Sequence, residues 1–190
     1  MFRTVLLLIA TVTCLGLTAC GQVPLSYQPT MANLETLKAA KNAPMNVGQF
    51  ALAPGKAATM DQSVTARATT VTSPNNSSFA LFLKDALTQE LRAVGKFDPN
   101  SSIVVSGLLT KSELEAPVGT GKAALAASFT VTRDGNRVYS KELEEKAEWP
   151  SAFIGADAIP TAINQYTSLY KKLLGKLFGD NDFTLATQPK

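Results

Sequence analysis

The chain of 190 residues contains no histidine, only two cysteines, and few charged residues (17%). Without histidine there is no imidazole for acid–base catalysis, no Ser-His or Cys-His nucleophile pair, and no His-ligated zinc site. The net charge of +3 is too small to indicate binding to nucleic acid. Apolar residues make up 45% of the chain, which is enough to bury a core. We therefore expect one folded domain that needs no metal or other cofactor.

The chain also lacks an apolar run long enough to cross a bilayer. Residues 5–17 form an apolar run of about 13 residues after Arg3, which is the length of a signal-peptide core. The run ends in Leu17, Thr18, Ala19 and Cys20. This ending resembles the lipobox of bacterial lipoproteins, in which an apolar residue and two small residues precede a cysteine. The resemblance implies diacylglycerol on the Cys20 sulfur, cleavage before Cys20, and acylation of the new amino terminus.

The alternative interpretation is an ordinary secretory signal with a chance cysteine. Cys14 lies in the segment predicted to be removed, so Cys20 would then be an odd free thiol in an oxidising compartment, which argues against this alternative. Gly21 follows the cysteine, where aspartate would favour the inner membrane by the enterobacterial sorting rule. The resemblance therefore favours the outer membrane with the domain facing the periplasm, and the inner membrane remains the alternative.

Three further segments are predicted after the signal peptide of residues 1–19. Residues 20–44 are mostly polar and contain three prolines, which favours a flexible tether. In the alternative, Leu34 and Leu37 dock onto the domain. Residues 45–179 carry the regular apolar patterns and form the folded domain, and residues 180–190 are expected to be a flexible tail.

Within the domain, the patterns predict strands at 45–52, 62–71 and 103–109, followed by a polar loop at 113–121. Alternating residues from Ala123 to Val131 predict a hairpin that turns at Asp134 and Gly135. Helical periodicity covers 77–94 and then 157–178, where Gly179 ends the second helix. The order predicts an α+β fold: a two-layer sandwich with a mostly antiparallel sheet of four to five strands and two main helices on one face.

Three patterns suggest catalysis, and each has a simpler explanation. Residues 119–122 (GTGK) lack two residues of a phosphate-binding loop and precede a strand. Ser168 and Lys171 fit a Ser-x-x-Lys motif but fall inside a predicted helix without its companion motifs. Paired carboxylates, such as Glu113 and Glu115, are typical of a solvated sheet face. We therefore expect no catalytic site and no enzyme.

An apolar connection joins the last predicted strand to the last helix. It contains Trp149, Phe153 and Ile154. These side chains are either buried under the helix or form a patch that faces a protein partner or lipid. The sequence leaves both possibilities open.

The predicted helix ending in residues 91–97 (LRAVGKF), before a strand with Ser106, Gly107 and Leu108, is similar to a group of periplasmic lipoproteins. Their domain resembles the N-terminal domain of TolB, and they include the curli-secretion lipoprotein, the activator of penicillin-binding proteins and auxiliary lipoproteins of envelope ABC transporters. The similarity covers about residues 45–178. It implies a non-catalytic adaptor or assembly factor that binds another envelope protein.

Two other functions remain open. The first is an auxiliary subunit that handles lipid for an envelope transporter, in an apolar groove between the sheet and the helices. The second is a hydrolase of cell-wall or lipid material that uses Glu113, Glu115 or the Ser168–Lys171 pair.

Overall fold

The computed structural model describes residues 22–75 and 77–189. The predicted cleavage signal and Cys20 lie outside these residues. The elements are β1 (Gln22–Pro24), α1 (Met31–Ala39), β2 (Asn46–Leu52), α2 (Thr59–Gln62), β3 (Ser63–Ala66), β4 (Thr69–Thr72), α3 (Phe79–Ala93), β5 (Ile103–Glu115), β6 (Gly119–Arg133), β7 (Asn136–Ser151), α4 (Gly155–Phe178) and α5 (Asn181–Thr187). Within this part of the chain, no helix is both long and apolar enough to cross a membrane.

The described residues form two sheets. The larger has the strand order β2-β5-β6-β7, and the smaller has the order β1-β4-β3. In the larger sheet β2 runs parallel to β5, and the other neighbours are antiparallel. Parallel neighbours need a long crossover, and α3 lies in the connection between β2 and β5. The predicted α+β sandwich with a mostly antiparallel sheet is confirmed.

The core lies between the larger sheet and its helices. Alternate residues of β6, such as Leu125, Phe129 and Val131, are fully buried, and their neighbours point to the other face. On α4, Tyr166, Leu173 and Leu177 recur at helical spacing and are also fully buried. The alternating side chains of β6 and the helically spaced side chains of α4 therefore pack in the same core.

Two predicted boundaries in the domain were wrong. Residues 62–71 form the hairpin of β3 and β4 and not one strand, because the chain turns at Arg67, whose φ is +56°. The predicted polar loop at 113–121 is reduced to residues 116–118, because β5 and β6 continue pairing as far as Glu115 and Lys122.

The predicted flexible tether is instead packed on the domain over its described residues. Leu25, Tyr27 and Leu37 are buried in the core, and Leu34 is half-buried, so the alternative of a docked segment is the correct one for this stretch. α1 begins at an N-cap, Thr30, whose side chain accepts a hydrogen bond from the Asn33 amide.

The predicted flexible tail is also ordered over its described residues. α5 begins at Asp180, whose side chain accepts from the amides of Asp182 and Phe183. The Phe183 ring is fully buried and lies edge-on to Tyr139. Arg133, at the end of β6, donates to the Ala186 carbonyl oxygen at 2.9 Å. Residues 181–187 thus form a helix that packs on the domain through Phe183 and Thr187, and they are not a frayed tail.

Candidate functional site

The candidate catalytic carboxylates lie on the outer face of the larger sheet, away from the core. Glu113 and Glu115 are exposed there. Glu144 binds Lys111 at 2.6 Å and Lys146 at 3.2 Å. These lysines lower the pKa of Glu144, and in turn Glu144 raises the pKa of Lys111. The arrangement is a solvent-exposed ion-pair network around a shallow cavity of about 550 Å³.

The other catalytic candidates are a serine within a helix and a segment at the start of β6, where Lys122 pairs with Glu115 and Glu148. Ser168 lies within α4, and its hydroxyl donates to the Gln165 carbonyl oxygen at 2.7 Å. Residues 119–122 belong to β6 and pair with β7, so no helix begins directly after them. In the described part of the chain, no group of three or more histidine, cysteine, aspartate or glutamate side chains could hold a metal ion.

The predicted apolar patch is divided by the structure. Trp149 is only 5% exposed and belongs to the core, where its ring lies against Gly121. A Cβ at Gly121 would come within 2.6 Å of Trp149 Nε1, so this position requires glycine. Phe153 and Ile154, by contrast, are 81% and 62% exposed. Trp149 is therefore a packing residue, for which the buried alternative is the correct one, whereas Phe153 and Ile154 lie at the surface.

A third exposed residue joins Phe153 and Ile154. Val118 is 60% exposed in the turn between β5 and β6, next to Gly119. Gly119 pairs with Ser151, which places this turn beside the loop that carries Phe153. We call Val118, Phe153 and Ile154 the apolar tip. Val118 was missed because it lies in a polar segment, and only the strand register reveals it.

Arg67 holds the tip in place. Its Nε donates to the Ala116 carbonyl oxygen at 3.0 Å, and its Nη1 donates to the Phe153 carbonyl oxygen at 2.8 Å. Its Nη2 donates to the Ala152 carbonyl oxygen. One side chain thus ties the β3–β4 turn to both loops that carry the tip. Arg67 was also missed, because a single arginine in a Thr-rich strand gives no periodic signal.

The two edges of the larger sheet differ in charge. β7 carries lysine or glutamate on both faces, and even on the core side Lys141 binds Asp180 at 2.7 Å and Glu145 binds Lys176 at 3.0 Å. β2 (NVGQFAL) has no charged residue. Beside β2, a shallow cavity of about 390 Å³ is lined by residues of β2, β5 and β6, among them Gln49, Leu52 and Leu108.

A buried carboxyl group connects the amino-terminal segment to α3. Glu90 Oε1 accepts from the Tyr27 hydroxyl at 2.6 Å and from Asn33 Nδ2 at 2.9 Å. Asn33 Nδ2 also donates to the Lys171 carbonyl oxygen of α4 at 3.1 Å. Burial is the main cause that raises the pKa of Tyr27 well above its usual value, and the hydrogen bond with Glu90 is the second. The Tyr27 hydroxyl therefore keeps its proton and remains a donor at physiological pH.

No protein-family model and no curated protein match the chain. Among solved structures, a DUF330-family protein from Xanthomonas campestris is similar over 83% of this chain and 93% of its own, with 13% identity and a TM-score of 0.52. A Caulobacter crescentus protein provisionally described as a lipoprotein has a TM-score of 0.43 and 11% identity, over 66% of this chain and 90% of its own. A minor lipoprotein from Acinetobacter baumannii has a TM-score of 0.38 and 14% identity, over 75% and 89%. The likeness to the Xanthomonas protein is one of fold alone.

Proposed function

We propose that the chain is a membrane-anchored periplasmic lipoprotein that acts as a non-catalytic adaptor or assembly factor in the cell envelope. The anchor is the acylated Cys20, and the outer membrane is the proposed location. Two or three acyl chains bind a bilayer far more firmly than one, because each buried methylene contributes about 0.8 kcal/mol. The lipobox pattern at residues 17–20 supports this part of the proposal.

The uncharged edge of β2 is the observation that carries the adaptor role. Among the described strands, none lies on the outer side of β2, and the bridge between Met45 and Phe97 lies before its first residue. An open edge can accept an extended segment of another protein through main-chain hydrogen bonds. Charges on both faces of β7 disfavour such pairing at the opposite edge. The proposed partner is therefore an envelope protein that contributes one uncharged extended segment beside β2, with side chains in the cavity near Leu108.

The lipid-handling alternative needs an apolar groove between the sheet and the helices. That interval is filled by fully buried side chains, including Phe129 from β6 and Leu173 from α4. No observation on the described residues favours this alternative over the adaptor.

The anchor is tested by labelling cells with palmitate. Wild-type protein should be labelled and should fractionate with outer membranes, whereas the Cys20→Ala variant should be unlabelled. Equal labelling of both proteins would remove Cys20 as the anchor.

The docking edge is tested by placing a photo-crosslinking residue at Gln49 of β2 and, as a matched control, at Ser140 of β7. Both positions are exposed on edge strands of the same sheet. A specific adduct from Gln49 alone is expected. With the partner identified and purified, Gln49→Lys should weaken binding about tenfold or more, because it buries an unpaired charge, whereas Ser140→Lys should not. Equal adducts from both edges, or equal binding by both variants, would refute docking at β2.

A further inference from the structure

We infer that the apolar tip rests on the surface of the lipid bilayer into which the acyl chains of Cys20 insert, so that the domain stands on the membrane by this end. The inference rests on the proposed anchor. It is carried by a juxtaposition: three exposed apolar side chains lie at the same end of the domain as the first described residue of the chain.

The position of that first residue is set by the smaller sheet. β1 runs parallel to β4, and Gln22 pairs with Thr70. β4 begins at Thr69, directly after the β3–β4 turn that contains Arg67. Only Gly21 separates Cys20 from Gln22, and two residues span at most about 7 Å. Gln22, the first described residue, therefore lies at the end of the domain where Arg67 lies.

Arg67 links this end to the apolar tip. Its guanidinium group donates to the carbonyl oxygens of Ala116, Ala152 and Phe153, in the two loops that flank the tip. Phe153 and Val118 therefore belong to segments held against the β3–β4 turn, next to the start of β1. The side chains project from a backbone fixed by hydrogen bonds, so little conformational freedom is lost when they bind a surface.

The chemistry of the tip fits a lipid surface. Aromatic and branched aliphatic side chains partition into the boundary between headgroups and acyl chains. The charged row of the sheet nearest to the apolar tip consists of Glu115, Lys122 and Glu148. It lies three residues along β6 from the Gly119–Ser151 pair, which is a distance of about 10 Å. This row has no excess of positive charge, so the contact does not require anionic lipid. Asp157, exposed in the first turn of α4, limits the contact to the interface.

Single-cysteine probes test the inference in the full-length, acylated protein. Once Cys20 is acylated and residues 1–19 are removed, a cysteine introduced by Phe153→Cys is the only free thiol and can carry an environment-sensitive fluorophore. The matched control is Leu185→Cys: Leu185 is 65% exposed on α5. Leu185 adjoins Ala186, whose carbonyl oxygen accepts a hydrogen bond from Arg133. Arg133 lies at the end of the β6–β7 ladder opposite to Gly119 and the apolar tip, and the ladder is about 45 Å long.

The labelled proteins are reconstituted into phosphatidylcholine vesicles with or without brominated acyl chains. Brominated lipid should quench the probe at position 153 and leave the probe at position 185 unchanged. Val118→Cys provides a second reporter with the same expectation if the first variant misfolds. In a chain whose mass includes lipid on Cys20, equal quenching at both ends, or no quenching at the tip, overturns this inference and leaves the anchor standing. A mature chain without lipid mass overturns both.

Discussion

Replacing Tyr27 by phenylalanine tests how the amino-terminal segment is held on the domain. The substitution keeps the ring, which lies edge-on to Phe82, and removes only the hydroxyl that donates to Glu90 Oε1 at 2.6 Å. Glu90 is fully buried, and its Oε2 has no hydrogen-bond partner among the residues that the structure describes. The substitution therefore removes the shortest hydrogen bond of the Glu90 carboxyl group, which is buried and only partly hydrogen-bonded. We expect the free energy of unfolding to fall by about 1–3 kcal/mol.

Tyr139→Phe is the matched control for this prediction. Tyr139 is as buried as Tyr27, but its hydroxyl lies 3.3 Å from Asp180 Oδ2, which already binds Lys141 at 2.7 Å. Because Asp180 keeps its stronger partner, this variant should lose less than about 1 kcal/mol.

Urea unfolding of both variants measures the two free energies. For a chain of this size, each kcal/mol corresponds to about 2–4 °C in the thermal midpoint. Amide hydrogen exchange adds a local readout: α1 should exchange faster in Tyr27→Phe than in wild type, because Asn33 and Thr30 alone then hold Glu90. Equal losses in the two variants, or unchanged exchange in α1, would refute the role assigned to the Tyr27–Glu90 bond.

Two further predictions concern packing and pH. Gly121→Ala should lower the free energy of unfolding by about 1–3 kcal/mol, because the new methyl group meets the Trp149 ring. Gly155→Ala, whose Cβ would meet nothing closer than 3.8 Å, should not destabilise; a similar loss in both variants in urea would contradict the packing argument. Burial raises the pKa of the tyrosines, so the unfolded chain ionises near pH 10 while the folded chain keeps its protons, and stability should fall above pH 10. At pH 11 each fully buried tyrosine contributes about 1.4 kcal/mol to this loss, and Tyr170→Phe should flatten the dependence; an unchanged urea midpoint between pH 9 and 11 would contradict it. The tyrosines concerned are Tyr27, Tyr139, Tyr166 and Tyr170.

The elements with strong periodicity could be predicted from the sequence. The alternation along β6 and the helical spacing of α3 and α4 are local patterns, and each records which face is buried. The start predicted at residue 77 and the end predicted at Gly179 lie within two residues of the observed start of α3 and the observed end of α4. These local signals were enough to predict the α+β class.

Local patterns left the docking of residues 22–44 open as an alternative and could not decide between docking and a flexible tether. The apolar contacts of this segment are few and irregularly spaced, and its polar anchor is Glu90, which lies 57 residues from Asn33 and 63 from Tyr27 in the chain. The turn at Arg67 requires a positive φ, which no feature of arginine indicates. The apolar tip depends on the same turn, since Arg67 brings two distant loops together. These features depend on contacts between residues far apart in the chain, and local sequence patterns do not report such contacts.

The packing of the amino-terminal segment limits the reach of the domain. As a flexible coil, about 24 residues would extend roughly 27 Å and let the domain search the space around its anchor. With residues 22–44 folded onto the core, that slack is absent, and the farthest point of the domain is set by the rigid β6–β7 ladder, about 45 Å in length. If Cys20 carries the proposed anchor and β2 is the proposed docking edge, partners would have to come to the membrane surface themselves, and they would meet β2 at a nearly constant height.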